Sequence, residues 1–333
     1  LQKTDQVKEI RMQPPLPNDS TPALLLQQWL QWWKSRTLLQ KLLPLALMIS
    51  YWMLNVVLGG FRPEHLVVIF LVFAYYGGPR TQSYFQFFLP FTLYLILYDS
   101  QGFYAKWLRG DVRVAEPYQF DKTFFGIETS EGRLLPSQWL QNHIDPVLDI
   151  ITGLSYLIFI PVFLVVGLFY RFGLATMKNN RLSPEHIQIK THALMWGMFW
   201  LNILCCSTYY WYPAAPPWYV EQYGLGPAQL DALPNAAGGL RFDSILGVSM
   251  FADFYAKSPN VFGAIPSLHV AFPLLSVYFA FKLKSLRIFC LGFYLLICFS
   301  AVYLNHHYII DILWGSAYAL VVAWAVDTYF SSK

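Results

Sequence analysis

Charge is what this 333-residue chain has least of. Only 13% of its residues are charged, with 23 Lys and Arg against 19 Asp and Glu, while 56% are hydrophobic. An ordinary soluble domain carries roughly 25% charged residues. So few cannot coat a large soluble surface, and the apolar residues fall in long blocks, which marks an α-helical polytopic membrane protein. Strand-like alternation is missing, which argues against a transmembrane barrel. No basic stripe interleaved with aromatics stands outside the apolar blocks, so the net charge of +4 does not point to nucleic acid. Cysteine is scarce as well. Cys205, Cys206, Cys290 and Cys298 lie inside apolar blocks without ligand spacing and read as small buried residues.

What is present falls into eight apolar blocks, at about 42–60, 65–78, 84–98, 148–170, 192–212, 264–281, 288–304 and 308–330. They predict an all-α helical bundle with about eight transmembrane segments. The second and third are short for a span of ~20 residues. Residues 1–20 are polar and proline-bearing and are expected to be disordered. Over 21–41, Thr21-Pro22 offers a helix start, and Trp29, Trp32, Trp33, Lys34, Arg36 and Lys41 suit an amphipathic helix in the headgroup layer or on the protein's own surface. Residues 42–333 are expected to form a single membrane domain.

Basic loops set the orientation. Lys34, Arg36 and Lys41, then Arg171, Lys178, Arg181 and Lys190, then Lys282, Lys284 and Arg287 fall on one side if eight segments cross, and the positive-inside rule makes that side cytoplasmic. Both termini are then cytoplasmic. The long connections 99–147 and 213–263 lie on the other side with His269 and His307, and their length and aromatic content predict ordered caps.

The chemistry-bearing residues sit where apolar segments begin. In Ala301-Val-Tyr-Leu-Asn-His-His-Tyr-Ile-Ile-Asp311, a helix from about Asn305 places His307 and Asp311 on one face, four residues apart. His306, rotated by about 100°, is then a wall or substrate contact. Asn305 is expected to cap this helix. In Pro266-Ser267-Leu268-His269, Ser267 can cap a helix or bind an oxyanion, and the first-turn amides favour an anion. Two such helix starts, if adjacent, make a phosphate site. Asp311 could instead simply orient a core histidine, and a zinc site of His269, His307 and Asp311 is a further reading, without support from a His-Glu-x-x-His helix or a cysteine pair.

Together, Pro-Ser-x-His and the later His-x-x-x-Asp resemble the type-2 phosphatidic acid phosphatase superfamily. Tyr212-Pro-Ala-Ala-Pro-Pro-Trp218-Tyr219, Phe262-Gly-Ala-Ile-Pro-Ser-Leu-His269 and Tyr303-Leu-Asn-His-His-Tyr308 look most like its branch of fungal inositol phosphorylceramide synthases. The resemblance covers about residues 115–330. It implies a six-helix catalytic core, no cofactor or metal, and catalysis by His307 as nucleophile, Asp311 as its orienting carboxylate and His269 as acid and base. It implies transfer of a phosphorylated headgroup from a membrane phospholipid to a lipid or polyol hydroxyl, with phosphoinositol transfer to ceramide as the favoured instance. The rival readings are a lipid phosphate or pyrophosphate phosphatase using the same histidines and a non-catalytic lipid transporter or scaffold.

One departure decides between the first two. Phosphatase members carry an arginine six residues before the nucleophile, where this chain has Ala301, and a lysine and an Arg-Pro pair where it has the uncharged Tyr-Pro-Ala-Ala-Pro-Pro-Trp. The missing cations favour a singly charged phosphodiester donor over a phosphomonoester. Arg241 in Gly-Gly-Leu-Arg-Phe-Asp, and after it Lys122 in Phe-Asp-Lys-Thr-Phe-Phe-Gly, are the candidate substitutes, unless each is an ordinary cation paired with Asp243 or Asp121. Tyr212 and Trp218 are candidate lining for a lipid entry where a headgroup could stack on a ring.

Overall fold

The structure is a computed structural model that describes residues 21–58, 66–130, 132–177, 181–256, 258 and 260–332. The disordered segment expected over 1–20 lies outside them, as does Lys178. The chain divides into two compact units, Leu1–Leu89 and Pro90–Lys333.

In the first unit, Thr21 caps α1 (Pro22–Lys34) by accepting the Leu24 amide, with Pro22 in the first turn. Helix α2 (Leu38–Leu58) and helix α3 (Val67–Tyr76) follow. Trp29 stacks on Trp33 and donates its indole N–H to the Tyr76 carbonyl, and the hydroxyls of Tyr75 and Tyr76 reach the carbonyls of Gln40 and Lys41. Arg36 lies over Trp32 and Lys41 over Trp33, so tryptophans and cations form one layer.

Helix α4 (Gln82–Leu108) leads into the second unit. There α5 (Ala115–Phe125), a hairpin of β1 (Ile127–Thr129) and β2 (Gly132–Leu134), and α6 (Pro136–Gln141) build the first long connection. Next come α7 (Pro146–Leu157), α8 (Phe159–Leu168) and α9 (Pro184–Trp211). The second connection folds as α10 (Pro217–Tyr223), α11 (Gly239–Leu246) and α12 (Met250–Ala256). The chain ends in α13 (Leu268–Lys282), α14 (Arg287–Tyr303) and α15 (Ile309–Ser331).

Within the described residues each of the eight apolar blocks carries a helix, and the fourth carries two. Pro161 has no N–H to offer the Leu157 carbonyl, and the helix resets at Ile158. Among the described residues, three helical stretches can cross a membrane by length and composition, Leu38–Val57, Phe159–Thr176 and Ile309–Ser331, and four shorter ones are apolar, at Val67–Tyr76, Pro146–Leu157, Leu268–Lys282 and Arg287–Tyr303.

Helix α13 is the core of the second unit. Val270, Ala271, Phe272, Leu275, Phe279 and Ala280 are wholly buried, and α8, α9, α14 and α15 pack around it, as a helix apolar on every side requires. At the end remote from His269, Asp327 of α15 binds Lys190 of α9 at 2.5 Å and Lys282 of α13 at 3.1 Å and accepts the Tyr278 hydroxyl. The buried charges of Lys190 and Asp327 are therefore paired, with the half-exposed Lys282 as a second cation. At the other end the two long connections are stitched through their backbones. Arg113 N–H donates to Pro213 O, Ala215 N–H to Arg113 O, and Ala214 N–H to Phe262 O.

Candidate active site

The turn between α14 and α15 carries the two histidines. Asn305 takes a left-handed φ of 61° and ends α14, so that the His306 and His307 amides both reach back to the Ala301 carbonyl at 3.1 Å. Asparagine tolerates this conformation better than most residues. Asn305 is thus a helix terminator and not the expected cap of α15; its side-chain amide donates to Glu221 at 2.6 Å, and its carbonyl accepts the Trp218 amide.

Helix α15 begins only at Ile309, so His307 precedes it. The pair with Asp311 forms nonetheless, His307 Nδ1 lying 3.1 Å from Asp311 Oδ2, because Asp311 sits in the first turn and accepts the Tyr308 amide with the same oxygen at 2.9 Å. Asp311 is fully buried and His307 is 6% exposed. With Nδ1 donating to the carboxylate, the His307 lone pair is on Nε2.

Helix α13 delivers His269 to the same place. The Ser267 amide donates to the Asp311 carbonyl at 3.0 Å, tying the two helix starts together, and the His269 and His307 rings lie 5.9 Å apart between centroids. Ser267 does not cap α13. Its hydroxyl is buried without a protein partner, which leaves it available to an oxyanion beside the first-turn amides.

The expected pair of anion-binding helix starts is reduced to one. The Ile309 and Ile310 amides of α15 donate to the two oxygens of Asp121, at 2.7 and 3.0 Å, and Tyr308 N–H is held by Asp311. The start of α15 is filled by carboxylates, and no side-chain carboxylate among the described residues takes the first-turn amides of α13.

His306 stands in a column of rings. Tyr255 of α12 stacks on it at 4.6 Å, Tyr156 of α7 at 5.3 Å, and Tyr156 also stacks on His269 at 4.0 Å with an interplanar angle of 12°. Phe159 braces His269 from α8 at 4.4 Å. Burial, then the neighbouring His307 and Arg241, hold His306 down at about 3 against the pull of the Ala236 carbonyl. It is therefore neutral at physiological pH and held between two tyrosine rings.

The candidate cations are engaged elsewhere. Arg241 binds Asp149 at 2.6 Å and Gln141 at 2.7 Å and lies over the Tyr303 ring. Asp243 is not its partner; that carboxylate accepts the Phe251 and Ala252 amides at the start of α12. Lys122 lies half-buried over Tyr118. Trp218 is buried with Tyr219, Phe262 and Tyr308, whereas Tyr212 packs against the cluster of Ala214, Ala264 and Ile265 with the Arg113 guanidinium 5.8 Å over its ring. Among the described residues no three His, Cys, Asp or Glu groups are arranged to hold a metal ion.

Comparison with known proteins bears on this geometry. The PAP2 superfamily profile matches residues 133–325. A phosphoinositol dihydroceramide synthase of Bacteroides thetaiotaomicron is 32% identical over 284 residues, 83% of this chain and 88% of that protein. The chain belongs to the PAP2 superfamily. Within it, the catalytic subunit of the Saccharomyces cerevisiae inositol phosphorylceramide synthase is 25% identical over 73% of this chain and 57% of its own length. The Schizosaccharomyces pombe counterpart is 39% identical over 33% of this chain and 26% of its own length. No solved structure matches the chain. The superfamily match includes α13, the histidine turn and Asp311, but begins after Asp121.

Asp121, Tyr156 and Tyr255 were missed in the sequence. Asp121 stood in a segment already singled out, Phe-Asp-Lys-Thr-Phe-Phe-Gly, but a search for cations selects its neighbour Lys122. The tyrosines carry no local signal.

Proposed function

We propose that this membrane enzyme transfers phosphoinositol from phosphatidylinositol to a ceramide-type hydroxyl, releasing diacylglycerol, through a phosphohistidine intermediate. The observation that carries the mechanism is the His307 Nδ1 to Asp311 Oδ2 bond of 3.1 Å with the His269 ring 5.9 Å away. The similarity to a phosphoinositol dihydroceramide synthase and an inositol phosphorylceramide synthase supports the substrates.

In the first step His307 Nε2 attacks phosphorus, a P–N bond forms, and the bond to the diacylglycerol oxygen breaks as His269 gives that oxygen a proton. Asp311 holds the ring in place and stabilises the imidazolium character that develops. In the second, His269 takes the proton of the acceptor hydroxyl as its oxygen attacks phosphorus and the P–N bond breaks. Ser267 and the first-turn amides of α13 meet the equatorial oxygens. Tyr212 and Trp218 shape the donor side, and Arg241 and Lys122 act on substrate only through the field. In this reading the eight apolar helical regions span the membrane, six of them forming the catalytic core. Helix α1 lies in the headgroup layer with residues 42–333 as one membrane domain, the termini are cytoplasmic and the histidines face the opposite side.

Purified protein supplied with phosphatidylinositol and ceramide should yield inositol phosphorylceramide and diacylglycerol, and His307→Ala should yield none. Donor without acceptor should leave acid-labile phosphate on His307. Phosphate release from phosphatidic acid with no transfer product would identify a phosphatase instead, and unchanged lipid handling in His307→Ala would identify a transporter.

A further inference from the structure

We infer that Asp121, 190 residues before Asp311, is a positioning residue of the transfer reaction: it fixes the first turn of α15 so that Asp311 faces His307. The inference rests on the proposed transfer and adds a residue to it.

The case begins with the backbone. A helix start leaves its first amides unpaired, and a local Ser, Thr, Asp or Asn normally accepts them. The residue before α15 is Tyr308, which makes no side-chain cap bond. The chain turns sharply at Asn305, and the position where a local cap would stand is held by Tyr308, a side chain buried in the cluster with Trp218, Tyr219 and Phe262. The cap comes instead from α5. Asp121 is 1% exposed and spends both oxygens on α15, Oδ2 on Ile309 N–H and Oδ1 on Ile310 N–H.

Those two residues lie between His307 and Asp311. Asp311 makes its own bonds to His307 Nδ1 and Tyr308 N–H with a single oxygen, Oδ2. Rotating or fraying the first turn therefore moves the carboxylate relative to the imidazole, and a misplacement of about 1 Å is worth ~100-fold in rate. A buried carboxylate also needs a strong reason to stay: burial pushes Asp121 up to about 7, the Ile310 and Ile309 amides pull it back, and Asp311 adds repulsion. A pure packing role would be met at lower cost by an apolar residue.

Three single variants and one double variant test this, with turnover measured per folded protein on phosphatidylinositol and a short-chain ceramide. Asp121→Asn keeps one acceptor and should lower kcat about tenfold; Asp121→Ala keeps none and should lower it about 100-fold, with KM for both substrates within about twofold. Ile309→Pro removes one partner without touching the carboxylate. Proline is favoured at the first helical position, and the extended Tyr308 (φ −75°, ψ 163°) accommodates it. It should lower kcat at constant KM, and the Asp121→Asn/Ile309→Pro double variant should be no worse than the lower of the two, because both break one bond. If the Asp121 variants do not fold, Ile309→Pro decides alone. Wild-type kcat in the folded variants, or a KM effect at unchanged kcat, overturns the inference while leaving the transfer reading intact. A wild-type protein that transfers no headgroup overturns both.

Discussion

Gly315→Ala is a small substitution with a large expected effect. Asp311 and Gly315 are one turn apart on the face of α15 that meets the start of α13. A methyl built on Gly315 would lie 2.5 Å from the Ser267 carbonyl oxygen, 3.2 Å from its nitrogen and 3.3 Å from its carbonyl carbon. Unstrained contacts lie near ~3.5 Å, so the helix starts must part by roughly 1 Å. The displaced atoms are backbone, and the Ser267 N–H bond to the Asp311 carbonyl would stretch or break. His269 is two residues beyond Ser267 and His307 four before Asp311, so the gap between acid and nucleophile widens. Overpacking costs about 1–3 kcal/mol, and exchanging Gly for Ala inside a helix returns about 1 kcal/mol, leaving a net destabilisation of ~0–2 kcal/mol. A misplacement of ~1 Å costs about 100-fold in rate. Thermal melting in detergent and single-turnover transfer from phosphatidylinositol should therefore part company: a fold nearly as stable as wild type, and transfer down about two orders of magnitude. Transfer within about threefold of wild type in a folded Gly315→Ala protein would show that this contact does not set the geometry.

Further expectations concern single side chains. His306 is held at about 3 by burial, against ~6.5 in the unfolded chain, so the stability from its neutral ring is complete above about pH 6.5 and is lost as pH falls toward 3. The loss should reach about 2 kcal/mol by pH 5, read as a fall in melting temperature between pH 7.5 and 5 that is smaller in His306→Phe. Arg241→Met strands Asp149, whose side chain is 5% exposed. It should destabilise the protein by about 3 kcal/mol, and Asp149→Asn in the same chain should recover most of the melting temperature. Asn305→Ala forces an alanine into a left-handed φ of 61° and should cost about 1 kcal/mol, whereas Asn305→Gly removes that strain and loses only the bond to Glu221.

Much of this was legible in the residues, for reasons that differ from place to place. Apolar blocks fix helices because a backbone without water must bond internally; the break at Ile158 is readable after the fact from Pro161. The His307–Asp311 spacing named the right pair through the wrong backbone. Four residues of helix were assumed, yet the turn reaches the same contact because Asp311 alone is helical. Asn305 was assigned to the start of α15 since asparagine suits a helix cap, but it equally suits the left-handed residue that ends a helix. Nothing local distinguishes the two. Asp121, Tyr156 and Tyr255 come to the site from α5, α7 and α12, so only packing between distant segments reveals them.

The electrostatics of the site sharpen the choice of substrate class. At the position where superfamily phosphatases have an arginine, Ala301 is wholly buried and its carbonyl holds both histidine amides. In this chain the packing around that position leaves no space for a guanidinium. Of the arginines near by, Arg241 is matched by Asp149 and Arg113 by Glu116, while the Arg109 guanidinium lies over the Phe262 ring. Both oxygens of Asp121 and one of Asp311 lie at the α15 start. A phosphomonoester would bring up to two charges to a site whose α15 start already holds the carboxylates of Asp121 and Asp311, and like charges in a buried site repel strongly. A diester brings one charge, and its second ester oxygen presents an inositol to the aromatic connection instead of a further anion. The same carboxylate that positions Asp311 thus also works against the phosphatase substrate. Asp121→Asn should accordingly relax selectivity, lowering transfer from phosphatidylinositol while raising the ratio of phosphatidic acid hydrolysis to transfer. A ratio that stays at the wild-type value would confine Asp121 to geometry alone.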